Sequence, residues 1–248
     1  MRLTRVFVAA PLASGTSLPL PPGPAQHLAR VLRLEAGAAL RVFNGQGGEF
    51  EASIASVRRA DVTLTVGAHH PVARESPLVT TLLQGIARGE KMDLILQKST
   101  ELGVSRIVPL AAARTNVRLN AETAARKQQH WQAVVIGACE QSGRDRVPEV
   151  AAPVSLAQAV AAVAAQLRLI LAPDAGSQSL QSLLHVAGTA PTSVCLLVGP
   201  EGGFDAEEVQ AAQRAGFRAC RLGPRVLRTE TAGLAALAAL QFAAGDLT

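Results

Sequence analysis

Leu197-Val198-Gly199-Pro200-Glu201-Gly202-Gly203-Phe204-Asp205 decides how the larger, C-terminal part of this chain is read. The apolar run Val194 to Val198 leads into it as a strand, and Ala206 to Ala215 follows with helical spacing that stops at Gly216. Asp205 suits the N-cap, and Glu208 three residues on completes a capping-box spacing. Outward from this strand, glycine loop and helix the same alternation repeats. Strand-like runs lie at Val79 to Gly85, Arg106 to Leu110, Leu167 to Ala172 and Phe217 to Leu222. Between them, helical spacing occupies Lys91 to Leu102 (closed by Gly103), Ala121 to Glu140, Ser179 to Val186 and Thr231 to Ala244. Such βα alternation predicts an α/β domain with a mainly parallel sheet and helices on its faces.

The loop itself has two readings. Gly199, Gly202 and Gly203 either satisfy a tight turn or let the backbone approach a ligand closely. Its place at the C-terminal end of a parallel strand is where such sheets bind ligands. It lacks the Gly-Lys-Ser/Thr ending of a P-loop and the spacing of a dinucleotide fingerprint. Gly45-Gln46-Gly47-Gly48 is followed by a strand rather than a helix. A kinase or nicotinamide dehydrogenase therefore has no support.

Residues 1–72 have a different texture. Short strand-like runs at Val6 to Ala9, Ala39 to Phe43, Phe50 to Ser56 and Val62 to Val66 surround the hairpin signal Asn44-Gly45. His27 to Leu34 has the one-sided spacing of a short helix. A linker with two prolines, His69 to Pro77, separates this small β domain from the rest. The expected division is residues 1–72 and 73–248. The adjacent histidines of that linker read as solvated residues, and no metal site is expected. Cys139, Cys195 and Cys220 are scattered without a C-x-x-C pair, which argues against both a disulfide framework and zinc. That pattern suits a reducing, cytoplasmic compartment.

At 248 residues and 48% apolar composition the chain can bury a substantial core. No apolar run reaches the roughly 18 residues of a membrane span. Pro11 interrupts the N-terminal run Val6-Phe7-Val8-Ala9-Ala10, so a first strand is a better reading than a secretory signal. Lys plus Arg exceed Asp plus Glu by 24 to 19, and the surplus is mostly arginine, whose planar fork suits phosphate.

A second strand-to-helix segment is more densely polar: Arg221-Leu222-Gly223-Pro224-Arg225-Val226-Leu227-Arg228-Thr229-Glu230-Thr231-Ala232. Thr229 could simply cap the last helix. Capping does not explain three arginines in a loop feeding an apolar helix, because charge of that density usually faces a polar ligand or partner.

Five segments in this order resemble one family: Arg88-Gly89-Glu90-Lys91-Met92, Gln97 to Gly103, Ala138 to Arg144, Gly199 to Gly203, and Leu222 to Ala232. With His27 to Arg33 in the first domain, the chain resembles, nearly end to end, the RsmE family of small-subunit ribosomal RNA uridine-N3 methyltransferases. The resemblance implies a SPOUT-type α/β domain with a C-terminal trefoil knot, a feature no pattern argument would propose. It further implies a PUA-like β-barrel that helps hold RNA, a homodimer, and S-adenosyl-L-methionine as cofactor. The expected substrate is a uridine of 16S ribosomal RNA in the small ribosomal subunit, with no membrane and no metal involved.

Carried onto this sequence, the resemblance puts the cofactor among three loops. Leu171 and Ala172 lead into one; Gly199, Pro200 and Gly202 form the next; Leu222, Gly223, Val226 and Leu227 form the third. Glu230 or Glu201 would take the N3 proton, or Arg228 would stabilise the base anion. Thr229 would hydrogen-bond a uracil carbonyl or orient the base. Arg5, Arg30, Arg33, Arg88 and Arg144 are the expected substrate contacts. A non-catalytic RNA-binding module remains an alternative, as do ribose 2′-OH and transfer RNA as targets.

Overall fold

The computed structural model describes residues 3–59, 61–115, 120–172, 176–186 and 190–247. The chain forms two units: residues 1–75 with 139–147, and residues 76–138 with 148–248.

The first unit is built on a five-stranded sheet in the order β1 (Arg5–Phe7), β3 (Ala39–Phe43), β4 (Glu49–Arg58), β5 (Asp61–His70), β2 (Ser17–Pro19). β1 runs parallel to β3 and the other pairs are antiparallel. The predicted Asn44-Gly45 turn joins β3 to β4. There the Asn44 side-chain carbonyl accepts the Gln46 N–H at 3.2 Å, and Gly45, Gly47 and Gly48 all have positive φ. Alternate residues Leu40, Val42, Ala52, Ile54, Val62 and Leu64 fill the core with Val6, Val8 and Leu28. The helix expected at His27 to Leu34 starts earlier, as α1 (Pro22–Gln26), and continues through a wide turn at His27–Val31. Pro22 and Pro24 fit its first turn, where no intrahelical donor is required.

The second unit contains an eight-stranded sheet, parallel throughout. Its order is β11 (Gln178–Ser179), β13 (Arg218–Arg221), β10 (Leu167–Leu171), β12 (Ser193–Val198), β6 (Val79–Gly85), β7 (Arg106–Ala111), β8 (Glu149–Val150). The short β9 (Val154–Ser155) also pairs with β7. β12, between β10 and β6, is buried from Val194 to Val198, as expected of a strand covered on both faces. The intervening helices are α2 (Glu90–Glu101), α3 (Ala121–Ser142), α4 (Leu156–Ala162), α5 (Leu180–Val186), α6 (Ala206–Arg214) and α7 (Thr229–Ala244). α6 carries the predicted capping box, with Asp205 and Glu208 satisfying each other's backbone N–H. α2 ends at Gly103, whose φ of +79° closes it in the left-handed conformation. Sequence reading missed α4, although Ser155 and Gln158 form a second capping box there.

One face of the sheet packs Leu83, Leu110, Ile170 and Leu197 against Leu156, Val160 and Phe217. On the other, α7 packs on α2 and β12 through Gly233, Ala236, Leu237 and Leu240. The apolar segment Gly233 to Ala244 thus buries one face, through Gly233, Ala236, Leu237, Leu240 and Gln241, and leaves Ala235, Phe242 and Ala243 exposed. No helix among the described residues is long and apolar enough to cross a membrane.

Candidate active site

The C-terminal ends of β10, β12 and β13 converge on a cavity of about 560 Å³ in the second unit. That volume lies in the range of small-molecule sites. The Gly199–Gly203 loop after β12 forms one wall, and the Leu222–Leu227 loop after β13 forms another. Leu171 at the end of β10 and Lys91 from the first turn of α2 line it too, and Arg228, Thr229 and Glu230 open α7 beside them.

The glycines here have distinct physical reasons. A side chain on Gly202 would collide with Arg114, and one on Gly199 would crowd Gly203 and Phe204. Gly203 (φ +67°) and Gly223 (φ +143°) lie in the region that disfavours side chains, with open space beside them. The close fit of the first two and the open cradle at the last two correspond to the two readings of such loops. This loop does both. Gly85, at the end of β6, leaves room for the backbone of Pro200.

The polar groups are unevenly distributed. Lys91 Nζ lies 3.7 Å from Glu201 Oε1 and 3.7 Å from Glu230 Oε1, a cation between the two candidate carboxylates. Burial works against the Glu201 carboxylate. It is outweighed by the N–H groups of Arg88 and of Glu201 itself, then by the charges of Lys91 and Arg88, which hold it below the usual glutamate range. The Arg88 N–H donates to Glu201 Oε1 at 3.0 Å. Glu230 is more enclosed, with a side chain 15% exposed against 24% for Glu201. Its Oε2 is buried without a hydrogen-bond partner among the described residues. The Thr229 hydroxyl donates to the Gly199 carbonyl at 2.5 Å and accepts from Gln84 Nε2 at 3.1 Å. Arg228 and Arg225 are exposed on the rim.

Of the residues singled out from sequence, Arg228, Thr229, Glu230, Glu201, Leu171, Gly199, Pro200, Gly202, Leu222, Gly223, Val226 and Leu227 therefore meet around one cavity. Ala172 is buried behind it, with its N–H on the Cys220 carbonyl. The turn that follows, at 173–175, lies outside the described residues. Sequence reading did not assign Gln84, although a glutamine inside an apolar strand was the available signal, and it left Lys91 without a role.

Two of the expected substrate contacts need correction. Arg5 and Arg144 are 8% and 7% exposed, inside the first unit. Arg5 donates to Glu49 at 2.9 Å and to the carbonyls of Cys139 and Arg144, and stacks 4.4 Å from the Phe43 ring centre. Arg144 is paired with Glu75. Both guanidiniums are held by carboxylates of the same unit, and that of Arg5 by backbone carbonyls as well, rather than presented to RNA. Arg30 and Arg33 are exposed in the first unit, and Arg88 is exposed in the second. His130 pairs with Asp93 at 2.8 Å on an exposed face. All three cysteines are free and buried.

Comparison with known proteins agrees with this geometry. Residues 74–241 match a family described as the RNA methyltransferase domain, and residues 25–66 match an RNA methyltransferase PUA domain. The ribosomal RNA small subunit methyltransferase E of Buchnera aphidicola from Schizaphis graminum is 31% identical over 100% of this chain and 99% of its own length. That of Bacillus subtilis is 31% identical over 87% and 86%. The crystal structure of the Neisseria gonorrhoeae enzyme of the same name, bound to S-adenosyl methionine, superposes with a TM-score of 0.93 at 37% identity and full coverage of both chains. A Legionella pneumophila protein in complex with bound SAM does so at 0.94 and 42%, again with full coverage of both. The chain belongs to the ribosomal RNA small subunit methyltransferase E family.

Proposed function

We propose that this chain transfers a methyl group from S-adenosyl-L-methionine to N3 of a specific uridine in the 16S ribosomal RNA of the small subunit. One observation carries the reading. Arg228 and Glu230 border the same cavity as Glu201, Lys91 and the two loops, Gly199–Gly203 and Leu222–Leu227, that suit an adenosine cofactor. The residues present fit that group: Leu171, Leu222, Val226 and Leu227 offer apolar contact for the adenine ring. Gly203 and Gly223 leave room for close backbone approach. The cofactor supplies an electrophilic methyl on its sulfonium.

The chain's own residues then have separable tasks. The uridine must be held with N3 about 3 Å from the methyl and in line with the breaking bond. Its N3 proton must leave, and Glu230 is the better acceptor of the two carboxylates. Glu201 is held as an anion by two N–H groups and two cations, which weakens it as a base. Glu230 keeps a free carboxylate oxygen in an enclosed position. Arg228, on the rim beside it, would stabilise negative charge developing on the pyrimidine carbonyls. Thr229 has both its donor and one acceptor position engaged internally, so its part is to position its neighbours rather than to bind uracil.

The same reading makes the end of the second unit a trefoil knot and residues 1–72 of the first unit a PUA-like barrel that holds RNA. The order β13-β10-β12 of parallel strands, with α7 returning to pack on α2, is compatible with such threading. Exposed Arg30 and Arg33 are suited to phosphate contacts, and Arg88 to RNA beside the cavity. A homodimer in the cytoplasm completes the proposal. Its support is an apolar surface on α7 and its loop, where Phe242 is 75% and Val226 84% exposed. Ala235, Ala239 and Ala243 there line a hollow of about 920 Å³ together with Leu180 and Leu184.

Labelled-methyl transfer from S-adenosylmethionine to unmodified small ribosomal subunits, followed by nucleoside analysis, tests the reading. A 3-methyluridine product is expected. Label on ribose, or on transfer RNA alone, would overturn the assignment of base or substrate. Cofactor binding or methyl transfer failing on every RNA would return the chain to an RNA-binding module.

A further inference from the structure

Gln84 is fully buried near the end of β6, one residue before the glycine that Pro200 packs against. Its amide nitrogen donates to the Gly85 carbonyl at 2.9 Å and to Thr229 Oγ1 at 3.1 Å. The Thr229 proton is in turn committed to the Gly199 carbonyl. This chain of bonds leaves no freedom in the orientation of the amide. The Gly85 carbonyl can only accept, and Thr229 has given its one proton away, so both need a donor. Only the NH₂ end of a carboxamide supplies two. The carbonyl end of Gln84 faces the small residue Gly233, and has no hydrogen-bond partner among the described residues.

The connection ties together the end of β6, which packs behind the cavity, and two of the cavity's walls. Gly85 backs Pro200 and with it Glu201, Gly199 begins the glycine loop, and Thr229 stands between Arg228 and Glu230 in the first turn of α7. We infer that Gln84 is a positioning residue for methyl transfer, which through the Thr229 hydroxyl holds the glycine loop and the Arg228–Glu230 pair in one fixed relation. The inference rests on reading this cavity as the methyl-transfer site. Displacement of reacting groups by about 1 Å can cost on the order of 10²-fold in rate, so a positioning bond of this kind has catalytic consequences. A buried carboxamide is otherwise a poor choice for this strand, since an apolar residue would avoid burying an unpaired carbonyl.

The test is a double-mutant cycle on the full-length protein with two readouts. Gln84→Met keeps volume and removes both donors; Thr229→Val removes the hydroxyl, and Thr229→Ser restores it. The first readout is hydrogen exchange of the Gly203, Thr231 and Ala232 amides, which does not depend on activity. Gln84→Met and Thr229→Val are each expected to speed exchange at these amides about tenfold or more, as loss of a buried bond loosens the local structure. The double variant should be no faster than the faster single, and Thr229→Ser should behave as wild type. The second readout is single-turnover methyl transfer at saturating cofactor. Each of Gln84→Met and Thr229→Val should lose on the order of 10²-fold, with the double losing no more.

Unchanged exchange in Gln84→Met overturns the positioning role. So do exchange effects, or rate losses, that multiply in the double variant, because the two residues would then act separately. If the exchange cycle behaves as expected while wild type neither binds cofactor nor methylates any RNA, the bond network stands and the methyl-transfer reading falls. If Gln84→Met does not fold, Thr229→Val against Thr229→Ser carries the same comparison, and equal behaviour of those two overturns the inference.

Discussion

The buried arginines of the first unit and the exposed ones of the last loop share a side chain and little else. Arg5 and Arg144 lie inside the first unit, each bonded to a carboxylate, and Arg5 also to backbone carbonyls. Arg225 and Arg228 stand exposed at the cavity rim. A guanidinium has five donors, and what it does depends on how many the protein has already engaged. Arg5, Arg41 and Arg74 gather around Glu49, which at 8% side-chain exposure would be costly to bury unpaired. The surplus of basic residues in this sequence thus divides into a structural population and a population available to a ligand. Net charge alone cannot separate the two.

The sharpest way to break that distinction is to remove Arg5. Arg5→Ala leaves Glu49 with its more distant partners at 3.4 and 3.9 Å and strips two carbonyls of their donor. Breaking a buried pair typically costs about 3–5 kcal/mol. Denaturant unfolding of the full chain should show a loss of that size, with little change in the rate of molecules that remain folded. A stable Arg5→Ala protein with weakened RNA binding would place Arg5 in the other population.

Arg228→Ala is the converse experiment. Its loss should leave the unfolding midpoint nearly unchanged while single-turnover methyl transfer falls on the order of 10²–10³-fold, as for other groups that stabilise developing negative charge. Retention of full turnover would remove Arg228 from the chemistry. A smaller effect is expected from exposed Arg30 and Arg33. Reversing both charges should weaken RNA binding broadly and flatten its salt dependence by about one unit of slope for each phosphate no longer neutralised. An unchanged slope would leave both residues without a phosphate to bind.

The same division explains what could be read in the sequence. The βα order of the second unit was legible because apolar runs, Gly103, Gly216 and the Asp205–Glu208 box are local signals. The strands β8, β9 and β11, two residues each, carry too little pattern to register, and α4 was overlooked despite its capping box. The two loops at the cavity were legible because glycine, proline and charge are concentrated there. Arg5 and Arg144 were misassigned because their partners are distant in sequence: Glu49 is 44 residues from Arg5, and Glu75 is 69 from Arg144. Gln84 went unnoticed for a related reason. Its role depends on Thr229, 145 residues away. Local pattern locates a site, whereas the engagement of each donor is fixed by interactions that only the fold creates.

Cys139 offers the finest test of that point. It lies in the first unit near Arg5 and Arg144, and two neighbouring cations would ordinarily favour a thiolate. Burial nonetheless pushes its thiol up to about 12; Arg144 and Arg5 lower it, but Glu75 and Glu140 raise it again. Cys195 and Cys220 are likewise pushed up by burial, to about 12 and about 11. For a group whose native value is raised, the stabilising contribution is complete below its ordinary value of 9.0 and is lost as pH rises towards the native one. Ellman's reagent at pH 8 should therefore find no reactive thiol in the native protein and three after denaturation. Glu75→Gln sharpens the comparison by freeing Arg144 from its carboxylate. Because burial is the largest influence on Cys139, the native variant should stay unreactive. Rapid labelling of Cys139 in a folded Glu75→Gln protein would mean that the paired carboxylate, and not the dry surroundings, had kept that arginine from acting on the thiol.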